Sequence, residues 1–107
     1  MRLIMFVVCL FTSVSFAQPS DALLDAIEQV ESSGRGANTP DGDNGMAIGP
    51  FQIWKSYWKD ACQYDKSLAS GSYQDCRKPE YARRVVRAYL SRYGKGKTDE
   101  QMARIHN

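Results

Sequence analysis

The chain has 107 residues, 14 Lys and Arg against 12 Asp and Glu, three cysteines and 11% aromatic residues. That length holds one modest hydrophobic core, and a net charge of +2 is too small to mark a nucleic-acid binder. No segment is apolar for long enough to span a bilayer.

Met1-Arg2 followed by the apolar run Leu3–Val14 and then Ser15-Phe16-Ala17 has the layout of a secretory signal, with cleavage expected after Ala17. The mature chain, 18–107, is then expected to be one secreted, monomeric domain. Cys9 leaves with the signal. Cys62 and Cys76 remain, an even pair in an oxidising compartment, and one disulfide between them is expected. Closing that loop would contribute about 3 kcal/mol in the chain-entropy model.

Ser20 is a good N-cap, and Asp21 complements the start of a first helix. Leu23, Leu24, Ile27 and Val30 recur at helical spacing and predict its buried face. Glu31 shares that side, and Gly34 is a natural stop. A carboxyl group at the inward edge of a helix end feels partial burial and the negative end of the dipole. Both favour its protonated form, as a general acid requires. An ordinary surface glutamate at a frayed end fits the same spacing.

Asp41-Gly42 and Asn44-Gly45 are turn signals, and the second predicts a tight β-hairpin with a later strand near Met46–Ile48. Asp41 and Asp43 would place a carboxylate opposite Glu31 if the turn folds over the helix. An acid facing a carboxylate is the machinery of glycoside hydrolysis, although Asp-Gly turns commonly use Asp for turn geometry alone.

Gly49-Pro50 breaks the chain before a second helix bearing Trp54, Tyr57, Trp58 and Ala61. Trp54 and Tyr57 are the aromatic candidates for a sugar-lined cleft. Asn44, Gln52 and Ser56 are candidates for holding amide and hydroxyl groups. Residues 60–78 read as irregular, tied by the expected disulfide.

Pro79 opens a third helix with Ala82, Val85, Val86, Tyr89, Leu90 and Tyr93 as its apolar stripe. Thr98-Asp99-Glu100-Gln101 is a capping-box pattern that starts a fourth helix, with Met102 and Ile105 inward. The chain stops within two turns of that cap, which reads as a truncated end.

Charge is segregated. Asp21–Asp43 carries six acids and one base, and Arg77–Arg104 nine bases and three acids. An acidic site beside a polyanion-attracting surface fits, as do ordinary solvated faces. His106, the only histidine, has no Cys, Asp or His at ligand spacing, so no metal and no cofactor is expected. No Gly-x-Ser-x-Gly elbow or phosphate loop appears.

Four motifs in order, VESSG (30–34), GPFQI (49–53), YWKDAC (57–62) and ARIHN (103–107), resemble the invertebrate-type lysozymes, also called the destabilase family. The resemblance covers almost the whole mature chain. Its members are usually dense in cysteine, and their His-Asn runs on into a further helical region; this chain keeps two cysteines and stops there.

The resemblance implies a mainly α (α+β) lysozyme-like fold, four or so helices with a short β-hairpin beside the cleft. It implies a secreted muramidase acting on the β-1,4 bonds of peptidoglycan, with chitin oligomers as a further substrate in some relatives. Glu31 matches the catalytic acid. Asp43 matches the second carboxylate across a one-residue gap, which leaves Asp41 open. Three other activities stay in view: a lytic transglycosylase-like reaction, an isopeptidase pairing Ser32 or another serine with His106, and a catalytically inactive glycan binder.

Overall fold

The computed structural model describes residues 18–107, so the expected signal peptide lies outside the described residues. Four α-helices carry the fold: α1 (Asp21–Ser32), α2 (Lys55–Tyr64), α3 (Pro79–Tyr93) and α4 (Asp99–His106). Four short 3-10 turns, Gly36–Asn38, Asp43–Gly45, Lys66–Ser70 and Tyr73–Arg77, fill the connections. None of the described helices is long and apolar enough to cross a membrane.

The helix starts obey their local chemistry. The Ser20 hydroxyl accepts the Leu23 N–H at 3.0 Å. Pro79 occupies the first turn of α3. Thr98 and Gln101 form the reciprocal capping box of α4, with bonds of 3.0 and 3.2 Å. Each arrangement satisfies donors that a helix start leaves unpaired.

Leu23, Leu24 and Ile27 of α1 are buried, but Val30 is 82% exposed. Val30 stands instead on the rim of a shallow depression between α1 and α4, lined also by Ile27, Ala103 and His106. Ala82, Val85, Val86, Ala88 and Leu90 of α3 are buried, whereas Tyr93 stays 40% exposed near the helix end. Phe51, Ile48, Ile53, Leu68 and Met102 complete the core. Phe51 is fully buried between helices from both ends of the chain, and burial of such a side chain contributes roughly 1.5–3 kcal/mol.

The expected β-hairpin is absent among the described residues. Residues 42–53 instead make two successive reversals, each closed by one isolated antiparallel bridge, Gly42 to Ala47 and Ile48 to Ile53. The second reversal begins one residue after the first ends, so no ladder has room to grow. Pro50, inside the second, has no N–H to give one. Asn44 and Gly45, read as a hairpin turn, lie in the 3-10 turn between Gly42 and Ala47, with Asn44 at φ 57°.

Gly49 fixes how deep this double turn sits. Its φ is +76°, and a methyl group there would overlap the Cys76 carbonyl oxygen. Only glycine lets the two backbones approach so closely.

The expected disulfide is also overturned. Cys62 and Cys76 are free thiols. Cys62 lies on α2, half-buried, and Cys76 is fully buried in the 3-10 turn Tyr73–Arg77. Burial pushes the Cys76 thiol up to about 12 and raises that of Cys62. The irregular segment is tied by other means. Trp58 Nε1 donates to the Tyr81 hydroxyl at 2.8 Å, which donates to the Leu68 carbonyl at 2.7 Å. The Tyr73 hydroxyl donates to the Ile53 carbonyl at 2.7 Å. These bonds, with Leu68 and Cys76 fully buried, hold 64–78 against the helices.

The segregated charge resolves inside the molecule. Arg83 of α3 meets Asp25 at 2.8 Å and Asp21 at 3.4 Å on α1, and Arg87 meets Asp21 at 2.8 Å. Arg92 donates to the Asp60 carbonyl at 3.0 Å. Much of the basic charge of α3 therefore serves helix pairing rather than an open cationic surface. Such exposed pairs contribute little individually, because water and salt screen them.

Candidate active site

Glu31 occupies the last turn of α1, where the helix stops because Ser33 turns left-handed at φ 55° and Gly34 follows at +77°. This termination leaves the Glu31 side chain at the edge of the core, 23% exposed. Burial raises its pKa above 4.5, and the nearby charge of Asp43 raises it further. The negative end of α1 acts in the same direction.

Asp43 is delivered by the first reversal. It has φ 50°, and with Asn44 it makes a left-handed pair at the start of the 3-10 turn. Non-glycine residues in this region are strained and concentrate at functional sites. Trp54 Nε1 donates to Asp43 Oδ2 at 3.1 Å, which fixes the carboxylate's bearing.

Gln52 is left-handed as well, at φ 53°. Its side-chain amide donates to the Gly49 carbonyl at 3.0 Å and more weakly to that of Pro40 at 3.3 Å. Gln52 thus ties the second reversal to the chain that leads into the first.

Glu31 and Asp43 line one open cleft of about 440 Å³. Gln52, Trp54, Ser56 and Tyr57 line it too, so four of the five residues expected to contact a ligand converge there. Asn44 points elsewhere, exposed at the tip of its turn, and does not line the cleft. Asp41 is not in the lining either. The Arg77 guanidinium pairs with it through both carboxylate oxygens and holds its pKa below the usual value. Asp43, and not Asp41, therefore shares the cleft with Glu31. Trp54 is 42% exposed, with its ring at the cleft wall. Tyr57 lies deeper, stacked on Tyr89 with ring centroids 3.7 Å apart.

His106 joins the site from the end of α4. Its side chain is 4% exposed, and Nε2 lies 3.6 Å from Glu31 Oε2. Burial pulls its pKa down to about 4, so at neutral pH this contact is not an ion pair. Sequence reasoning placed His106 only as a partner for a serine. Its proximity to Glu31 depends on the α1–α4 contact, although the ARIHN motif was the signal that pointed to it. Asp60 and Tyr89 also line the cleft, marked in the sequence only as part of the YWKDAC motif and of the apolar stripe of α3.

Ser32, the other proposed partner of His106, is buried and its hydroxyl donates to the Glu28 carbonyl at 2.9 Å. Among the described residues no group of three or more His, Cys, Asp or Glu is placed to hold a metal ion.

The family described as Destabilase matches residues 20–107, essentially all of the described chain. None of the curated proteins and none of the solved structures compared with the chain matches it.

Proposed function

The chain belongs to the destabilase family of lysozyme-like hydrolases, and from that premise we propose that it is a secreted muramidase cleaving β-1,4 bonds of bacterial peptidoglycan. The observation that carries this reading is a half-buried Glu31 whose pKa is raised by burial and by Asp43, with both groups lining one open cleft.

Glu31 gives its proton to the glycosidic oxygen as the bond breaks. Asp43 faces the anomeric carbon and stabilises the positive charge that develops there. Water then completes hydrolysis with Glu31 as base. Trp54 supplies an apolar ring face for a sugar, and its N–H keeps Asp43 aimed into the cleft. Chitin oligomers share the same β-1,4 linkage and amide groups, and fall within the same substrate class.

The isopeptidase alternative asks His106 to accept a serine proton. Its two nitrogens already face the Tyr57 hydroxyl at 2.8 Å and the Phe51 carbonyl at 3.1 Å, which leaves neither to do so.

The test is clearing of a bacterial cell-wall suspension, with products analysed for new reducing ends. Wild type should clear it, and Glu31→Gln and Asp43→Asn should fall by a hundredfold or more, roughly the contribution of a positioned proton donor. Asp41→Asn should retain activity. Anhydro sugar ends would replace hydrolysis by a transglycosylase reaction, and binding without clearing would make the chain a glycan-binding protein.

A further inference from the structure

His106 is nearly enclosed, yet the reaction just described gives it no proton to move. Its surroundings on each packed element are specific. From α1 comes Glu31, with Oε2 3.6 Å from Nε2. From α2 comes Tyr57, whose hydroxyl is 2.8 Å from Nδ1. From the second reversal comes the Phe51 carbonyl, 3.1 Å from Nε2. Behind Tyr57, α3 supplies Tyr89, and Asp43 and Asp60 line the same cleft.

The proton positions follow from which atoms can only accept. A carbonyl oxygen cannot donate, so Nε2 carries the hydrogen that Phe51 receives. In a neutral ring Nδ1 is then bare and accepts from the Tyr57 hydroxyl. Tyr57 has its own reason to stay protonated, since burial raises its pKa well above 10. The Tyr57 ring cannot swing away because it is stacked on Tyr89, 10° from parallel.

We propose that Tyr57 and His106 are positioning residues for Glu31, a tyrosine-locked imidazole whose Nε2, donating to the Phe51 carbonyl, is held 3.6 Å from the Glu31 carboxyl group. The inference rests on the muramidase reading for its catalytic consequence, but the lock itself is a property of the folded protein.

Charge neutrality is what makes the arrangement useful. A cationic imidazole 3.6 Å from Glu31 would stabilise its carboxylate and strip the acid of its proton. A neutral N–H acts as a weak dipole. It stands beside one carboxyl oxygen and leaves the other free for the glycosidic oxygen. When Glu31 ionises after proton donation, the Nε2–H can tilt from the Phe51 carbonyl toward Oε2. The support then strengthens as charge appears, as catalysis requires.

The experiment compares wild type, Tyr57→Phe, His106→Gln and His106→Leu on a soluble glycan substrate, with folding checked by circular dichroism. It also measures imidazole 15N shifts and the titration of the Glu31 carboxyl carbon. His106→Leu should lose about ten- to a hundredfold in kcat with KM within twofold, the scale of a misplaced reacting group. His106→Gln retains an uncharged N–H near the Nε2 position and should recover most of that loss. Tyr57→Phe frees Nδ1 to take up a proton, so the high-pH limb of its activity profile should move to lower pH. The wild-type 15N shifts at pH 7 should show Nε2 protonated and Nδ1 bare.

Equal losses in His106→Gln and His106→Leu, kcat of His106→Leu within twofold of wild type, or superimposable Tyr57→Phe and wild-type profiles would overturn the proposal. So would a protonated Nδ1 in wild type. If His106→Leu fails to fold, Tyr57→Phe and the spectra still decide. If wild type cleaves no glycan, the muramidase reading fails, and the lock stands or falls on whether Tyr57→Phe lowers the Glu31 titration midpoint.

Discussion

The Trp54 indole N–H meets Asp43 Oδ2 at 3.1 Å, across eleven residues of chain and at the mouth of the cleft. Asp43 lies in the first reversal, and Trp54 follows directly on the second. The double turn therefore both strains Asp43 into the left-handed region and brings up the group that aims it. Trp54→Phe keeps an aromatic face and removes only the donor. Its kcat for glycan cleavage should fall about tenfold, the scale of one charge-assisted hydrogen bond.

Asp43 and Asn44 both hold positive φ, which Asn and Asp tolerate better than other non-glycine residues. Asp43→Asn should therefore abolish cleavage while its melting temperature stays close to wild type. Asp43→Val, β-branched at the same φ, should lose stability as well, by about 1–3 kcal/mol in denaturant titration.

Gly49 should tolerate no side chain. Gly49→Ala adds positive-φ strain to an overlap with the Cys76 carbonyl, which is backbone and cannot rotate aside. Loss of about 3 kcal/mol or more is expected, read as a fall in the urea midpoint.

Glu31 should make the fold less stable at neutral pH. Its folded-state pKa lies above 4.5, so the folded protein binds its proton more tightly than the unfolded chain does. That contribution is present in full below pH 4.5 and is lost as pH rises through the folded value. Glu31→Gln should then melt a few degrees higher than wild type at pH 7, with the difference shrinking toward pH 4.

His106 works in the opposite sense. Its folded pKa of about 4 lies below the ordinary 6.5, so the unfolded chain takes up the proton first. Its contribution is full above pH 6.5 and is lost as pH falls toward 4. In chemical denaturation, the stability gap between wild type and His106→Gln should narrow by up to about 3 kcal/mol across that window.

Because Cys62 and Cys76 are free, adding dithiothreitol should leave the melting temperature unchanged. A thiol reagent should find Cys76 unreactive until the protein unfolds, since that side chain is fully buried and its thiolate is disfavoured.

Local chemistry made the helices legible. Ser20, Pro79 and Thr98 mark starts through the few atoms around them, and the apolar spacing of α1 and α3 identifies most of their buried faces. The errors share a cause. Asn44-Gly45 is a sound hairpin signal, but it speaks for four residues, and the second reversal from Ile48 leaves the hairpin no strands. The two cysteines were paired by compartment and count, neither of which contains a distance.

Sequence alone displayed a helical stripe that ends at Glu31 and carboxylates that follow in a turn. Periodicity and turn chemistry are short-range, and a linear chain displays them in full. Which aspartate shares the cleft with Glu31 was decided by tertiary structure. Arg77, 36 residues away, captures Asp41, and Trp54 holds Asp43 in the cleft. The same is true of His106, 75 positions from Glu31 along the chain, because contact between α1 and α4 is a consequence of packing that no local pattern encodes.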